Sequence, residues 1–285
     1  MARRWIWFAL VLGGCLPDDA RPPAGRLDVT TSPDEALAPG SAGIETADGW
    51  HITYDRFLIT LGGVELEGND CSVYNEIDYL RLLSLGATAT QRLSTPYARG
   101  TCEFGFQMRP PTTDTVFGEA VTEFDYLLVG APATDDFADA GAALFVSGTA
   151  ANGAIAKRFA WAFRRGYQYE KCELDGNSGV VLSSNDAQVV NITIRGSVLF
   201  VARPDDEDAE LRFGPFAEAD DVFGDANGDI TLAELAVAPF DLANEHPEWK
   251  TLADYVYLGL VPRIPRYRAT GTCKIGPYAE KDDGP

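Results

Sequence analysis

Apolar and polar residues alternate with a period of two along several stretches of this chain, the spacing that turns one side of a β-strand to a core and the other to water. Trp50, Ile52 and Tyr54 alternate with His51, Thr53 and Asp55, and an apolar stretch from Phe57 to Leu66 is broken by Gly62-Gly63, predicting two strands or one bulged strand. Phe104, Phe106 and Met108 alternate until Pro110-Pro111 stops the run. The clearest strand is Ala156 to Tyr167, where Phe159, Trp161 and Phe163 share one face and Arg158 and Arg164 the other. The turn signal Asn152-Gly153 predicts a hairpin between residues 142–149 and 156–169. Val190, Ile192 and Ile194 mark a further strand over 188–202. Ser72 to Leu85 differs: Tyr74, Ile77, Leu80, Leu82 and Leu83 approximate helical spacing, so a short helix is expected. Short strands without βαβ alternation predict a mainly β fold, an antiparallel β-sandwich over 49–203. After Arg203 the texture changes, and 204–262 reads as helical. A small helical appendix and C-terminal tail are therefore expected over 204–285.

The first residues carry an address. Arg3 and Arg4 precede an apolar run from Trp5 to Leu12, followed by Gly13, Gly14 and Cys15. This is the form of a secretory signal, too short for a membrane-spanning helix, which needs roughly 20 apolar residues. The ending Leu12-Gly13-Gly14-Cys15 resembles the lipobox of bacterial lipoproteins. The resemblance implies a signal peptide over 1–14, a diacylglycerol on the Cys15 thiol and a third acyl chain on its amine. Leu16, rather than Asp, follows the cysteine, which in that family favours the outer membrane of the cell envelope. Residues 16–48 contain five prolines and little apolar periodicity, so 15–48 is expected to be a lipidated disordered tether.

Losing residues 1–14 leaves 21 Lys and Arg against 43 Asp and Glu, a net charge of −22. Such a chain repels nucleic acid and leaves divalent cations and basic partners as attractors. Apart from Cys15 there are four cysteines, and an even number in an oxidising compartment predicts two disulfides. Of the three pairings, Cys71–Cys102 and Cys172–Cys273 are preferred: the first closes a local loop, the second fastens the tail. A four-cysteine zinc site is disfavoured because no pair has CxxC-like spacing.

The segment with recognisable chemistry runs from Phe223 to Leu235. It resembles the twelve-residue calcium loop of EF-hand proteins, which implies a helix–loop–helix and oxygen ligands. With Glu234 as the last loop position, Asp225 and Asn227 are the third and fifth, and Gly228 sits at the sharp turn. Asp229 offers its backbone carbonyl, Ile230 takes the apolar eighth position and Thr231 the ninth. The first position, an Asp in the family, is Phe223 here. Asp220 or Asp221 bending in, or water, is needed to fill the place, and weak calcium affinity is expected. A shorter register beginning at Asp225 loses the turn glycine. The competing reading is an acidic turn that caps a helix.

Other chemistry is sparse. His51 lies in a strand, and His246 lacks HExxH spacing. No GxSxG elbow, P-loop or dinucleotide fingerprint occurs. Arg164-Arg165 reads as a strand-end ion-pairing site and Asp205 to Asp208 as a solvated face. Gly49 to Val64, Arg158 to Cys172 and Asn191 to Glu234 are similar to a group of predicted envelope lipoproteins whose motifs do not indicate an activity. Histidines that such relatives carry near Arg195 and Val198 are absent here, so a metal site built on them does not carry over. The expected function is a calcium-binding envelope lipoprotein, a non-enzymatic binding or scaffolding module for an envelope protein or polymer. The alternatives are a carboxylate-based hydrolase of envelope polymers, which needs two acids roughly 5–9.5 Å apart in a cleft, and a carrier with an enclosed apolar cavity.

Overall fold

The computed structural model describes residues 22–75, 79–130, 141–206, 209–240 and 246–278. Cys15 and the expected export signal over 1–14 lie outside the described residues. So does Ile77, one of the residues that suggested a helix.

The first strand begins inside the segment expected to be a tether. β1 (Gly25–Pro33) buries Leu27, Val29 and Thr31 and turns Asp28, Thr30 and Ser32 outward. The disordered reading of 15–48 is therefore corrected from residue 25 onward. Its physical basis was the proline count, but Pro22, Pro23 and Pro33 bound the strand rather than interrupt it, which a strand tolerates. A single 3-10 turn at Glu35–Leu37 and β2 (Ile44–Glu45) then lead into β3 (His51–Glu67).

β3 is one bulged strand, as the double glycine allowed. Its register against β7 (Tyr97–Met108) shifts between Gly62 and Glu65. Gly63 has φ +50, and a Cβ there would lie 2.7 Å from the Gln107 side chain, so the bulge needs glycine. β4 (Cys71–Val73) and β5 (Leu80–Ser84) follow, and the helix expected over 72–85 is replaced by these strands. β5 pairs with β3 and buries four of its five residues, including Leu82 and Leu83 side by side. A strand covered on both faces reads as a near-continuous apolar run, which mimics helical spacing.

β6 (Gln91–Ser94) precedes β7, and β8 (Val116–Phe117) with α1 (Glu123–Val129) follows it. β9 (Leu144–Asn152) and β10 (Ile155–Phe163) form the expected hairpin, in register from Asn152↔Ile155 to Leu144↔Phe163. β11 (Tyr167–Leu174) is a separate strand on β7 and β17, so the second arm ends at Phe163 rather than at 169. The remaining elements are β12 (Asn177–Ser178), β13 (Val180–Leu182), β14 (Ala187–Ile194), a 3-10 turn (Ser197–Phe200), α2 (Gly214–Phe223), β15 (Asp229–Ile230), α3 (Leu232–Val237), α4 (Leu252–Asp254) continued by a π-helix (Tyr255–Leu260) and a 3-10 turn (Val261–Arg263), β16 (Pro265–Tyr267) and β17 (Thr272–Pro277).

The fold is mainly β, and its sheet is mixed rather than wholly antiparallel. β1 runs parallel to β14 over eight residue pairs, β10 parallel to β15 and β5 parallel to β8. β7 joins two ladders. Its first half pairs with β1, β4 and β13, and its second half with β3 and β11.

One large cluster of buried side chains spans both ladders and the C-terminal helices. Phe159 stacks on Trp161 at 4.7 Å, Trp161 on Phe216 of α2 at 5.5 Å, and Phe213 meets Trp50 at 5.1 Å. Trp249, Leu252, Val256 and Leu260 belong to the same core. The expected appendix over 204–285 is thus not a detached unit: its apolar faces are shared with the strands, and it also contributes β15, β16 and β17. Both expected disulfides are present, Cys71–Cys102 and Cys172–Cys273.

Candidate metal centre

A carboxylate holds the start of helix α2, and a second, on the helix itself, ties down the loop beyond it. At its start, Asp48 accepts hydrogen bonds from the backbone N–H of Phe213 (3.1 Å) and Gly214 (2.6 Å), satisfying donors that a helix leaves orphaned. Burial works against the Asp48 charge, but these bonds and one from Thr46 outweigh it and hold its carboxyl below the usual value. Along the helix, Phe216, Ala217 and Asp220 recur at three- and four-residue spacing. The face that packs Phe216 on Trp161 therefore also turns Asp220 inward. Asp220 is fully buried, whereas the side chain of Asp221 is 54% exposed.

Asp220 organises the loop that follows. Its Oδ1 accepts from the N–H of Asn227 at 3.1 Å, and its Oδ2 from the N–H of Gly228 at 3.0 Å. Ala226 (φ +55) and Gly228 (φ +87) adopt left-handed backbone to bring those N–H groups round, and Gly228 occupies the turn expected of it. Asp220 lies about one helical turn before Phe223, which is 40% exposed.

Strand β10 clamps the loop with residues of both its faces. The Arg158 N–H donates to the Gly228 carbonyl at 2.8 Å, and β15 pairs with β10 in parallel. Trp161 Nε1 donates to the Ile230 carbonyl at 3.0 Å. The Arg158 guanidinium binds the Asp229 carboxylate through two bonds of 2.7 and 2.9 Å. Lys157, on the buried face of β10 and 4% exposed, donates to Asp220 Oδ2 at 2.6 Å and to Asp221 Oδ1. Burial opposes the Lys157 charge, but both carboxylates favour it more strongly and raise its pKa above the ordinary lysine value.

The exit helix α3 begins with a capping box. Thr231 Oγ1 accepts from the Glu234 N–H at 3.2 Å, and Glu234 Oε2 accepts from the Thr231 N–H at 2.7 Å. The capping reading of this segment is therefore realised alongside the loop geometry. Gly224 permits the approach of Glu234, because a Cβ there would lie 2.1 Å from Glu234 Oε1.

The structure brings two of the five expected ligands together. One carboxylate oxygen each from Asp220, Asp225 and Glu234 lie within 4.8 Å of one another. Two oxygens bound to one Ca²⁺ at 2.3–2.6 Å are separated by at most about 5 Å, so this spacing fits a calcium ion. Asn227 lies in the same loop, its Nδ2 donating to Asp225 Oδ2 at 3.0 Å and its Oδ1 accepting from the Asp229 N–H at 2.7 Å. The Asp229 side chain is engaged by Arg158 and is not among the three converging carboxylates. The Thr231 hydroxyl serves the helix cap.

Sequence reasoning missed Lys157, although the signal was there: 157 shares the parity of 159, 161 and 163, which makes it a lysine on a core-facing register. The two histidines lie elsewhere. His51 Nδ1 pairs with Glu45 at 2.7 Å, and His246 stacks on Trp249 with ring centroids 3.7 Å apart, 3.3 Å from Asp205 and from Glu248. Among the described residues no helix is long and apolar enough to cross a membrane. No family model, no curated protein and no solved structure matches the chain.

Proposed function

We propose that this chain is an exported, lipid-anchored envelope protein that binds calcium weakly between α2 and α3 and acts as a non-enzymatic binding or scaffolding module. The observation that carries the calcium reading is the convergence of Asp220, Asp225 and Glu234 on one point of a helix–loop–helix. Calcium takes hard oxygen ligands, and affinities of about 10⁻⁴–10⁻³ M suffice for extracellular modules. Two features keep the affinity low: Phe223 replaces a ligand, and the Lys157 ammonium already rests on Asp220. The role is structural, tying α2, α3 and β10 together.

Export is supported by the signal-like start and by the two disulfides, which persist in oxidising compartments. The lipid on Cys15 and the outer-membrane location rest on Leu12-Gly13-Gly14-Cys15 and Leu16. The two ladders joined through β7 are read as opposed layers of a β-sandwich, with α2 to α4 as its helical extension.

Calorimetric titration of calcium into the full chain tests the metal reading, with magnesium and Glu234→Gln as controls. Heat that saturates at millimolar calcium and disappears in Glu234→Gln is the expected result. Equal heats in the two proteins overturn it. Retention of acyl label by the wild type and its loss in Cys15→Ser is expected for the anchor; equal labelling overturns that part alone.

A further inference from the structure

We propose that the surface around Pro22 and Tyr97, where β1, β4, β7 and β13 meet, rests on the headgroup layer of a zwitterionic phospholipid bilayer and fixes the orientation of the domain. This rests on the lipid anchor at Cys15 and adds to it which face meets the membrane. Six residues (16–21) separate Cys15 from Pro22, which makes seven Cα–Cα steps. At roughly 3.6 Å each, those steps reach at most about 25 Å. A folded body of roughly 260 residues has a radius of gyration of about 18 Å and is therefore about 45 Å across. A body held on a link shorter than its own width cannot turn its far side to the bilayer.

The contacts of the entering chain show which side is the near one. Tyr74 Oη donates to the Pro22 carbonyl at 2.6 Å, and the Tyr74 N–H donates to the Tyr97 carbonyl at 2.9 Å. On the other side, the Asn185 N–H donates to the Ala24 carbonyl at 3.2 Å, and Arg26 pairs with Tyr97 across the ladder. The end of the link is thus pinned beside Tyr97. The tip of the β9–β10 hairpin lies elsewhere, because Ala151 pairs with His51 at the start of β3. β7 meets the other end of β3, Glu103 on Glu67, and Tyr97 is six residues further out. The hairpin tip and Tyr97 therefore lie beyond opposite ends of β3.

The near side has the chemistry of an interfacial contact. Alternation in β7 turns Tyr97, Arg99 and Thr101 outward, and Val181 stands opposite Thr101 on the same face. Tyr97, Val181 and, at the edge, Val73 are exposed. Tyrosine concentrates where a bilayer meets water, since its ring is apolar and its hydroxyl wet. Arg26, opposite Tyr97, is paired with Asp28 at 2.8 Å, so the aromatic and aliphatic groups carry the contact rather than that charge. A zwitterionic surface avoids the repulsion that a chain of net charge −20 meets on an anionic one. The anchor makes the contact intramolecular, with an effective concentration on the order of millimolar, so a small apolar patch suffices.

The test uses the full acylated chain on phosphatidylcholine vesicles, with a fluorophore attached through Tyr97→Cys, Val181→Cys or Ile155→Cys. The four cysteines of the folded part are disulfide-bonded and the anchor occupies Cys15, so the introduced thiol is the reactive one. All three positions are exposed, and a thermal transition like that of the wild type verifies each fold. Nitroxide-bearing lipid is expected to quench the fluorophore at positions 97 and 181 and to leave position 155 bright, while iodide in the water does the reverse. Acyl label on Cys15 with equal lipid quenching at all three positions, or with none at 97 and 181, overturns the orientation and leaves the anchor standing. Absence of acyl label overturns the anchor and the orientation together. Protection of position 97 from iodide without quenching by lipid means that another macromolecule covers this face, and overturns the bilayer as its partner.

Discussion

Replacing Lys157 with methionine keeps the length of the side chain and removes its charge, leaving Asp220 without its cation at a fully buried position. Breaking a buried ion pair from one side costs about 3–5 kcal/mol, because the remaining charge is stranded. For a protein of this size that corresponds to a fall in Tm of roughly 6–20 °C. Asp221, more than half exposed, is the weaker partner, and Asp221→Asn costs less than about 1 kcal/mol. Adding Asp220→Asn to Lys157→Met removes the stranded charge and recovers part of the loss. Thermal unfolding followed by circular dichroism in a chelator measures all four proteins. Calcium supplies a second arm. On the proposed calcium reading, Lys157→Met frees Asp220 as a ligand, and a concentration 100-fold above Kd returns about 2.7 kcal/mol, comparable with the low end of the loss. A Lys157→Met protein less than about 1 kcal/mol below wild type refutes the reasoning that this ammonium locks the loop. So does an Asp221→Asn variant as damaged as Lys157→Met.

Three further outcomes follow from the same contacts. Lys157 has a raised pKa, so its stabilisation is complete below the ordinary value of 10.5 and disappears as pH rises through the folded value; stability above pH 10.5 should fall more steeply in wild type than in Lys157→Met. Asp48, with its lowered pKa, stabilises above the ordinary value of 3.8, and that contribution is lost as pH falls through the folded value; Asp48→Ala should cost about 0.5–2 kcal/mol at neutral pH, like other lost caps, and flatten the acid limb of an unfolding curve. Deleting residues 22–33 removes β1 with its buried Leu27 and Val29, and the shortened chain should fail to give a cooperative thermal transition; a cooperative one would mean that the strand is dispensable.

The hairpin at Asn152-Gly153, the aromatic face of β10 and the bulge at Gly62-Gly63 were all legible, because one face of each strand is apolar and the turn chemistry is local. β5 was not, since a strand buried on both sides loses its period of two. β1 was obscured by prolines that mark its ends, although Leu27, Val29 and Thr31 carried the alternation. In the candidate site, loop spacing singled out Asp225, Gly228 and Glu234, and Asp220 was named, with Asp221 or water, as a substitute for the acid absent at Phe223; the structure brings Asp220 beside Asp225 and Glu234. The choice between Asp220 and Asp221 depended on which face of α2 meets Trp161, a tertiary fact. The clamp by Lys157 and Arg158 joins segments more than 60 residues apart, beyond the reach of any local pattern.

The pairing of β1 with β14 also sets an order of events. Thr30 meets Val190 across 160 residues, so the first strand made waits for most of the chain before its parallel neighbour exists. Long-range parallel pairing is slow, because loop closure precedes the contacts that reward it. Until then β1 has only its antiparallel neighbours β6 and β7, and the edge that later meets β14 stays open to aggregation or to a chaperone. The Cys71–Cys102 bridge, only 31 residues apart, has no such delay, whereas Cys172–Cys273 spans 101 and closes near the end. The first strand of the described residues is thus among the last to gain its full set of neighbours, and a pulse of oxidant during refolding would trap the short bridge first.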